Sequence, residues 1–387
     1  MNTFELDKTY IAGTYKRFPI EIVSGKGSLV KDVNGREYID MGSGIAVTSF
    51  GVADDEWIAA VEQQIHSVQH MSNLYYTAPC ARLAEALCLK TGMAKVFFSN
   101  SGAEANECAI KAARKWAAEN KGPACSTIVT LENSFHGRTL TTLSATGQDH
   151  YHELYQPLTP GFGSFPAGDL DALKKLCAGG TVAAVLIECV QGEGGVIALD
   201  PGFVKELDAF LKEQNILLMV DEVQTGNGRT GTMYAYMQYG IRPDAVSTAK
   251  GLAGGLPMGA TLLSEKLADV FSYGDHGSTF GGNPVAAAAA LSVVNRLTDD
   301  FLKDVTRKSE LLRGLLKGAP GIEALTGLGL MVGIKTTRPA SEVIADCMEN
   351  GVLCLAAKDK VRLLPALNIP DDLLVRAAET IKKACAK

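Results

Sequence analysis

From residue 79 to residue 263 the chain alternates between helical and strand patterns, and this alternation restricts the fold more than any other feature. Short apolar runs indicate buried strands, and segments with an apolar residue every three or four positions indicate helices between several of them. Such an order is typical of a mainly parallel sheet with helices on both faces. The predicted strands are residues 95–98, 127–131, 183–188, 216–220, 245–248 and 259–263.

Both ends of the chain carry shorter patterns. Three strand patterns precede the alternating region, and after it an alanine-rich helix predicted at 283–297 leads into further helices and strands. No repeat and no proline-rich linker separates these parts, so we expect the two ends to fold together. We predict a large domain at residues 61–285 and a small α+β domain built from residues 1–60 and 286–387.

Composition limits the partners and the compartment. The 387 residues carry a formal net charge of −6 with Lys and Arg scattered, which disfavours nucleic acid and anionic membranes as partners. No apolar stretch is long enough to span a bilayer, and the chain begins without a signal-peptide pattern. Nine cysteines without CxxC pairs or metal-ligand spacing are typical of reduced thiols. We therefore expect a cytoplasmic protein that binds no metal, no nucleic acid and no membrane.

A single lysine follows one of the predicted strands. The apolar run 245–248 ends just before Lys250, and a glycine-rich turn follows at 251–255. The glycines let the backbone approach a bulky group closely, and a lysine held there could form a Schiff base with an aldehyde. Taken alone, the pattern more often marks a surface lysine before a loop.

The segment 100–106 has the features of an anion site. Ser101 and Gly102 follow the strand predicted at 95–98 and lead directly into a helix. The free N–H groups of the first helical turn, the helix dipole and the serine hydroxyl together attract phosphate. The alternative is a serine that caps the helix without binding a ligand.

Two more strand ends carry side chains suited to a flat, charged ligand. Phe135 and Arg138 follow the strand 127–131, where the phenyl ring could stack on a ring and the guanidinium could grip a carboxylate. Asp221 closes the very apolar strand 216–220, where a buried carboxylate needs a cationic partner. Each pattern also has a structural interpretation. Phe135 and Arg138 could be a loop aromatic and a salt-bridged arginine, and Asp221 could be a helix cap or the acid of a salt bridge.

Three glycine-rich segments remain. Glu193 lies among glycines after the strand 183–188 and could pair with a mobile arginine. Ser278 and Thr279 offer hydroxyls on flexible backbone before a helix, which also suits a phosphate. The literal GxGxxG at 226–231 does not open a helix directly after a strand, so it does not indicate a dinucleotide site.

An anion site, a stacking aromatic, a buried acid and one lysine at neighbouring strand ends fit pyridoxal 5'-phosphate, which offers a phosphate, a flat ring, a ring nitrogen and an aldehyde. The same residues carry a resemblance. The motifs SGAEAN, FHGRT, DEVQTGNGRTG, AKGLAGGLPMGA and GSTFGGNP occur in this order, and over nearly its whole length the chain resembles class III pyridoxal-phosphate-dependent aminotransferases. The resemblance implies an α/β protein of fold type I, aspartate aminotransferase-like, with a large domain around a mainly parallel sheet and a small α+β domain.

The resemblance also implies how the cofactor is held. Lys250 would hold its aldehyde through a Schiff base, Asp221 would pair with the ring nitrogen and Gln224 would contact the ring hydroxyl. Phe135 would stack on the ring. The phosphate would be bound by Ser101, Gly102, Ala103 and, from the other subunit of a homodimer with a shared active site, Thr279. Ala103 replaces the threonine usual in the family, which predicts weaker retention of the cofactor.

For the substrates, the resemblance implies two arginines. Arg138, with Ser278 near it, would hold the acylated amino-acid end of the donor, and Arg362 would bind the α-carboxylate of 2-oxoglutarate or glutamate. Glu193 would pair with Arg362 while the donor is bound. The implied reaction transfers the ω-amino group of N2-acetylornithine to 2-oxoglutarate. Ornithine, succinylornithine and 4-aminobutyrate stay open as donors, as do a mutase or decarboxylase on the same fold and a cofactor-binding regulator without turnover.

Overall fold

The structure is a computed structural model that describes all residues, 1–387. Thirteen helical segments occur in the order Thr3–Tyr10 (α1), Ser43–Ala46 (α2), Asp55–Ile65 (α3), Ala78–Thr91 (α4), Gly102–Lys121 (α5), Leu140–Ala145 (α6), Leu170–Cys177 (α7), Pro201–Glu213 (α8), Tyr236–Tyr239 (α9), Pro284–Arg296 (α10), Asp299–Leu316 (α11), Ala340–Glu349 (α12) and Asp371–Ala386 (α13). No helix is both long and apolar enough to cross a membrane.

The strands are short and run through the whole chain. They are Ile22–Lys26 (β1), Leu29–Asp32 (β2), Glu37–Asp40 (β3), Lys95–Ser99 (β4), Thr127–Leu131 (β5), Phe162–Phe165 (β6), Val182–Ile187 (β7), Val190–Gln191 (β8), Ile197–Ala198 (β9), Leu217–Asp221 (β10), Ala245–Thr248 (β11), Gly259–Leu263 (β12), Ile322–Leu328 (β13), Met331–Thr336 (β14), Val352–Leu353 (β15), Leu355–Ala357 (β16) and Lys360–Leu363 (β17).

Seven strands form the central sheet, in the order β4-β12-β11-β10-β7-β5-β6. The pairs β11/β10, β10/β7, β7/β5 and β5/β6 are parallel, whereas β12 is antiparallel to both of its neighbours. Every residue of β7, β10, β11 and β12 is buried, as expected for a sheet covered on both faces. The prediction of an α/β fold around a mainly parallel sheet is confirmed.

Helix α5 is the element that covers the sheet next to the strand ends of interest. One face of it is buried and consists mostly of small residues, among them Ala105, Ala109 and Ala112, so the helix packs close to the sheet. Asp54, Asp200 and Asn283 cap α3, α8 and α10 by accepting a bond from a backbone N–H of the first turn. Each such cap stabilises its helix by about 1 kcal/mol.

Two smaller sheets are built from the ends of the chain. In the first, of order β1-β2-β3-β15, the N-terminal β3 pairs in parallel with the C-terminal β15, so Val352 lies opposite Ile39. The second has the order β13-β14-β17-β16 and is antiparallel. From the sequence we expect a strand at 351–355 in one small sheet with 329–335 and 360–364. The structure instead pairs residues 352–353 with β3, and only Leu355 joins that sheet, because a two-residue strand has too little pattern to select its partner. The domain limits at 60/61 and 285/286 stay a prediction.

Candidate active site

A cavity of about 520 Å³ lies at the carboxyl ends of β7, β10 and β11. Parallel strands end at the same edge of a sheet, which is where ligands of open α/β sheets bind. Nine of the side chains or glycines predicted for the site line this cavity: Ser101, Gly102, Ala103, Phe135, Arg138, Glu193, Asp221, Gln224 and Lys250. The local strand-end predictions therefore converge on one space.

Lys250 follows β11 with a left-handed backbone, φ +47°, at the start of a short 3₁₀ turn, Lys250–Leu252. Asn227 fixes this strand end by donating from Nδ2 to Thr248 Oγ1 at 2.9 Å and to the Ala249 carbonyl at 3.1 Å. Burial lowers the pKa of the Lys250 ammonium by more than the nearby Glu193 carboxylate raises it. A lowered pKa makes more of the neutral amine available as nucleophile and base.

Asp221 is buried at the end of β10 and is held by neutral and aromatic donors rather than by an arginine or lysine. Its Oδ2 atom accepts a bond from Asn106 Nδ2 at 2.8 Å and lies 2.8 Å from His136 Nδ1. Asn106 is itself fixed by Ser247, whose hydroxyl donates to Asn106 Oδ1 at 2.5 Å. The carboxylate is thus oriented at the cavity floor by the Asn106 amide and the His136 ring, with no lysine or arginine in contact.

The first turn of α5 lies across the cavity from these residues. Ser101 caps the helix, since its hydroxyl oxygen accepts from the Glu104 N–H at 3.2 Å and its proton goes to Glu104 Oε2 at 2.9 Å. The N–H groups of Gly102 and Ala103 have no carbonyl partner within the helix. A Cβ on Gly102 would lie 2.7 Å from Val223 Cγ1, so only glycine lets the helix start this close to the segment after β10. Ser101 therefore caps the helix, and the same helix start leaves N–H groups free for an anion, so the helix-cap and anion-site interpretations are compatible.

Arg138 presents an unpaired guanidinium to the cavity. Its Cζ atom lies 5.6 Å from the ring centre of Phe135 and 4.8 Å from that of Tyr151, within the range of cation–π attraction. No carboxylate lies within 4.0 Å, so the salt-bridge alternative for this arginine does not apply. The guanidinium is free to accept a carboxylate from a ligand.

Arg362 has the opposite environment. It lies in β17, is 4% exposed, and donates from Nη1 to Glu193 Oε1 at 2.5 Å and to Gln224 Oε1 at 3.1 Å. Burial opposes ionisation of Glu193, but the Arg362 guanidinium outweighs it and lowers the pKa of the Glu193 carboxyl. The Nε atom of Arg362 is buried without a partner. This arginine is therefore close to the cavity but masked by an acid.

Besides Arg362, two predicted residues are not among those that line the cavity, Thr279 and Ser278. Thr279 is exposed and lines a separate surface cavity of about 660 Å³. Ser278 adjoins the start of α5, because its Oγ atom accepts a bond from Asn100 Nδ2 at 3.1 Å. Within one chain, Thr279 therefore does not meet the other predicted cofactor-binding residues.

The lining residues that were not predicted include Tyr15, Val47, Asn106, His136 and Glu188. Three of these follow from motifs already noted, since Asn106 ends SGAEAN, His136 belongs to FHGRT and Glu188 ends a predicted strand. Tyr15 and Val47 come from the N-terminal segment, whose patterns give no indication of proximity. Beside Val47, residues Ser43–Ala46 (α2) all have positive φ, a left-handed turn that three non-glycine residues disfavour.

The residues of the cavity fit pyridoxal phosphate. Lys250 suits the aldehyde, Asp221 suits a protonated ring nitrogen, and Phe135 offers a ring face. Unpaired N–H groups at the start of α5 suit a phosphate. His136 Nε2, a buried atom on the cavity lining, has no partner within the chain, which leaves a polar position for a ligand or a water to fill.

Comparison with known proteins agrees with this fit. Residues 10–385 match the family described as "Aminotransferase class-III", and the chain belongs to this family. It is a pyridoxal-phosphate-dependent transaminase. The predicted family, fold class, enzyme class and cofactor are thereby confirmed.

Individual relatives are similar over their full lengths. The chain is 48% identical to an acetylornithine aminotransferase of Haemophilus ducreyi over 99% of this chain and 98% of that protein. Its structure matches an ornithine aminotransferase of Toxoplasma gondii with a TM-score of 0.93 at 32% identity, covering 99% and 94% of the two chains. An N-acetylornithine aminotransferase of Stenotrophomonas maltophilia matches with a TM-score of 0.86 at 34% identity, covering 99% and 98%.

Proposed function

We propose that this chain transfers the ω-amino group of N2-acetylornithine to 2-oxoglutarate, giving N-acetylglutamate semialdehyde and glutamate, as an acetylornithine aminotransferase of arginine biosynthesis. The names of the relatives support this assignment, since curated proteins 40–48% identical to the chain are called acetylornithine aminotransferases. The coarser activity, amino transfer with pyridoxal phosphate, follows from the family.

The observation that carries the proposal is the different state of the two arginines beside Lys250. Arg138 is unpaired and open, whereas Arg362 is paired with Glu193. N2-Acetylornithine has one carboxylate, which Arg138 takes, and Glu193 keeps Arg362 from competing for it. The acceptor 2-oxoglutarate has two carboxylates, so its binding needs Arg362 to exchange Glu193 for a substrate carboxylate.

The charges on the lining favour a neutral acyl group on the donor. Two cationic side chains of this chain line the cavity, Arg138 and Lys250. The donor carboxylate takes Arg138, and the reacting amine replaces Lys250 at the aldehyde, so no cation is left for a second carboxylate. A succinyl group would bring a second carboxylate without a cation, and the free α-ammonium of ornithine would lie beside the Arg138 guanidinium. The acetyl amide of N2-acetylornithine is neutral, so it brings neither an unpaired carboxylate nor an ammonium next to Arg138.

In the mechanism that we propose, each residue acts on a stated atom. When bound, pyridoxal phosphate supplies the aldehyde that takes up the donor amine and the ring that accepts the electrons of the broken C–H bond. Lys250, freed when that amine binds, would take the proton from the carbon bearing the ω-amine and deliver it to the former aldehyde carbon of the cofactor. Asp221, oriented by Asn106 and His136, keeps a proton on the ring nitrogen. Arg138 fixes the far end of the donor, which aligns its ω-carbon with Lys250.

We also propose a homodimer in which Thr279 completes the partner's site, working in the cytoplasm. Asn73 ties its own segment to the loop that carries Thr279, because its Nδ2 atom donates to the carbonyls of Ser278 at 2.9 Å and Gly281 at 3.1 Å. Large apolar side chains around this junction are exposed, namely Leu74, Tyr75, Tyr76 and Phe280. Exposed large apolar side chains grouped around one junction are typical of an interface. Analytical ultracentrifugation of the active protein measures its mass. If the fully active protein has the mass of one chain, 41.0 kDa, the shared site is wrong.

A panel of donors tests the activity most sharply. With 2-oxoglutarate as acceptor, kcat/KM should be highest for N2-acetylornithine and lower by about tenfold or more for succinylornithine, ornithine and 4-aminobutyrate. Glutamate formation is the measurement. A higher kcat/KM for any of the other three donors would overturn the assignment, although not the family.

A further inference from the structure

Glu188 is a buried acid that the mechanism above does not use. It directly follows β7, is 6% exposed, and lines the cavity that contains Lys250. No lysine, arginine or histidine lies within 4.0 Å of its carboxyl group to form a salt bridge. Because an unpaired buried carboxylate is costly, a chain keeps one where its hydrogen bonds do something that an apolar residue cannot do.

The hydrogen bonds of Glu188 join two loops. Its Oε2 atom accepts from the backbone N–H of Phe135 at 3.0 Å, and its Oε1 atom accepts from the backbone N–H of Gly192 at 3.3 Å. Phe135 begins the loop that carries Arg138. Gly192 directly precedes Glu193, the acid that masks Arg362. The carboxyl group of Glu188 thus connects the loop that carries Arg138 with the loop that carries Glu193.

We propose that Glu188 is a positioning residue whose carboxylate clamps the Phe135 loop and the Glu193 loop together at the cavity floor. The clamp sets the ring of Phe135 against the cofactor and anchors the hinge on which Glu193 leaves Arg362. The cofactor part rests on the family, and the Glu193 part rests on the proposed function.

The surroundings of Glu188 make this clamp sensitive to protonation. Burial raises the pKa of Glu188 to about 7, with Asp221 raising it further, while His136 and the two backbone N–H groups favour the ionised form. Lys250 on the turn after β11 and the thiol of Cys189 are the other ionisable groups coupled to it. A protonated carboxyl presents a hydroxyl where an N–H needs an acceptor, so the clamp weakens as the pH falls through about 7.

Glu222 provides a matched control. It is also fully buried with a pKa raised to about 7 by burial, but it accepts from Thr225 Oγ1 and from the Tyr236 N–H and does not line the cavity. Glu188→Gln and Glu222→Gln therefore each remove a buried acid of the same size with a pKa raised to about 7. Only the first change cuts the connection between the two cavity loops.

The test is the dissociation constant of pyridoxal phosphate, measured by absorbance titration of the cofactor-free full chain between about pH 6 and about pH 8.5. We expect Glu188→Gln to weaken binding by about tenfold at high pH and by much less at low pH, where the wild-type clamp is already protonated. The ratio to wild type should stay constant with pH for Glu222→Gln. A constant ratio for Glu188→Gln, or the same pH dependence in both variants, would overturn the proposal.

A second variant separates positioning from filling space. Glu188→Asp keeps an ionisable group but is too short to reach both loops, so we expect weaker binding that still changes with pH through the neutral range. If Glu188 only fills space, the aspartate and glutamine variants will weaken binding without any pH-dependent difference between them. The dissociation constant involves no substrate, so this outcome is independent of the donor panel.

Discussion

At the residue scale, the site consists of groups whose environments differ although their chemistry is the same. Arg138 has aromatic rings beside it and no acid, whereas Arg362 is buried against Glu193. Glu193 ionises readily because of Arg362, whereas the pKa of the equally acidic Glu188 is raised to about 7 by burial. These differences assign separate tasks to like residues.

The two arginines give a testable division of labour. Arg138→Ala should raise the KM for the donor by about tenfold to a hundredfold, because a charge-assisted bond to the carboxylate is lost, and should change the KM for the acceptor less. Steady-state kinetics with each substrate varied in turn measures both. Arg362→Ala is the matched control and should show the reverse pattern. Equal effects of Arg138→Ala on both substrates would refute this partition.

Sequence pattern located neighbouring residues best where apolar runs define strand ends. Asp221 ends the fully buried β10 and Lys250 follows the fully buried β11, and these parallel neighbours bring their ends together. Asn106 was missed as the partner of Asp221 because it lies on α5, 115 positions earlier in the chain. Pairing across such a distance depends on how the helix is rotated against the sheet, which local pattern does not specify.

At the scale of elements, the cavity depends on how closely the start of α5 approaches the segment after β10. Gly102→Ala would place a methyl carbon 2.7 and 2.8 Å from the two Cγ atoms of Val223, so one of the segments must move. We expect a loss of about 1–3 kcal/mol in the free energy of unfolding and weaker cofactor binding. Thermal denaturation and cofactor titration measure the two effects.

Gly314 is the control for this substitution. It lies within α11 and has nothing within 4 Å of an added Cβ, so Gly314→Ala should stabilise the protein by up to about 1 kcal/mol. The double variant Gly102→Ala with Val223→Ala should recover most of the cofactor affinity. If Gly102→Ala binds the cofactor as well as wild type, the close approach is not what shapes the site.

Elements outside the large sheet were harder to predict. Strand β13 has an irregular pattern, IEALTGL, with only partly buried or exposed residues, and no strand was predicted there. The left-handed turn at Ser43–Ala46 contains three non-glycine residues that local preference places elsewhere. Its neighbour Ser49 donates to the carbonyl of Gly251 at 3.1 Å, so tertiary contact with the Lys250 turn selects this conformation.

At the scale of the whole molecule, two buried acids near the sheet edge tie stability to pH. Glu188 and Glu222 both have a pKa raised to about 7 by burial, above the ordinary value of 4.5. A raised carboxyl pKa means that the folded protein binds the proton more tightly than the unfolded chain does. The free energy of unfolding should therefore increase as the pH falls from about 7 to about 4.5. Above about pH 7 both acids are ionised in the folded protein, and the destabilisation by these buried charges is at its full value.

Glu222→Gln isolates this contribution. The variant no longer titrates, so its melting temperature relative to wild type should rise by about 2 °C or more between about pH 5 and about pH 8. Thermal denaturation at a series of pH values measures this difference. Glu213→Gln, on an exposed helix end, serves as control and should give a constant difference. A constant difference for Glu222→Gln as well would show that this acid is not buried as described.

The proposed function places amino transfer from N2-acetylornithine at Lys250, in a cavity formed by the ends of β7, β10 and β11. The most direct measurement is glutamate formation from 2-oxoglutarate and N2-acetylornithine by the wild-type chain and by Lys250→Ala, both supplied with pyridoxal phosphate. The wild type should form glutamate, and the variant should be slower by about a thousandfold or more, since the group that moves the proton is gone. A Lys250→Ala variant with wild-type activity would contradict the account.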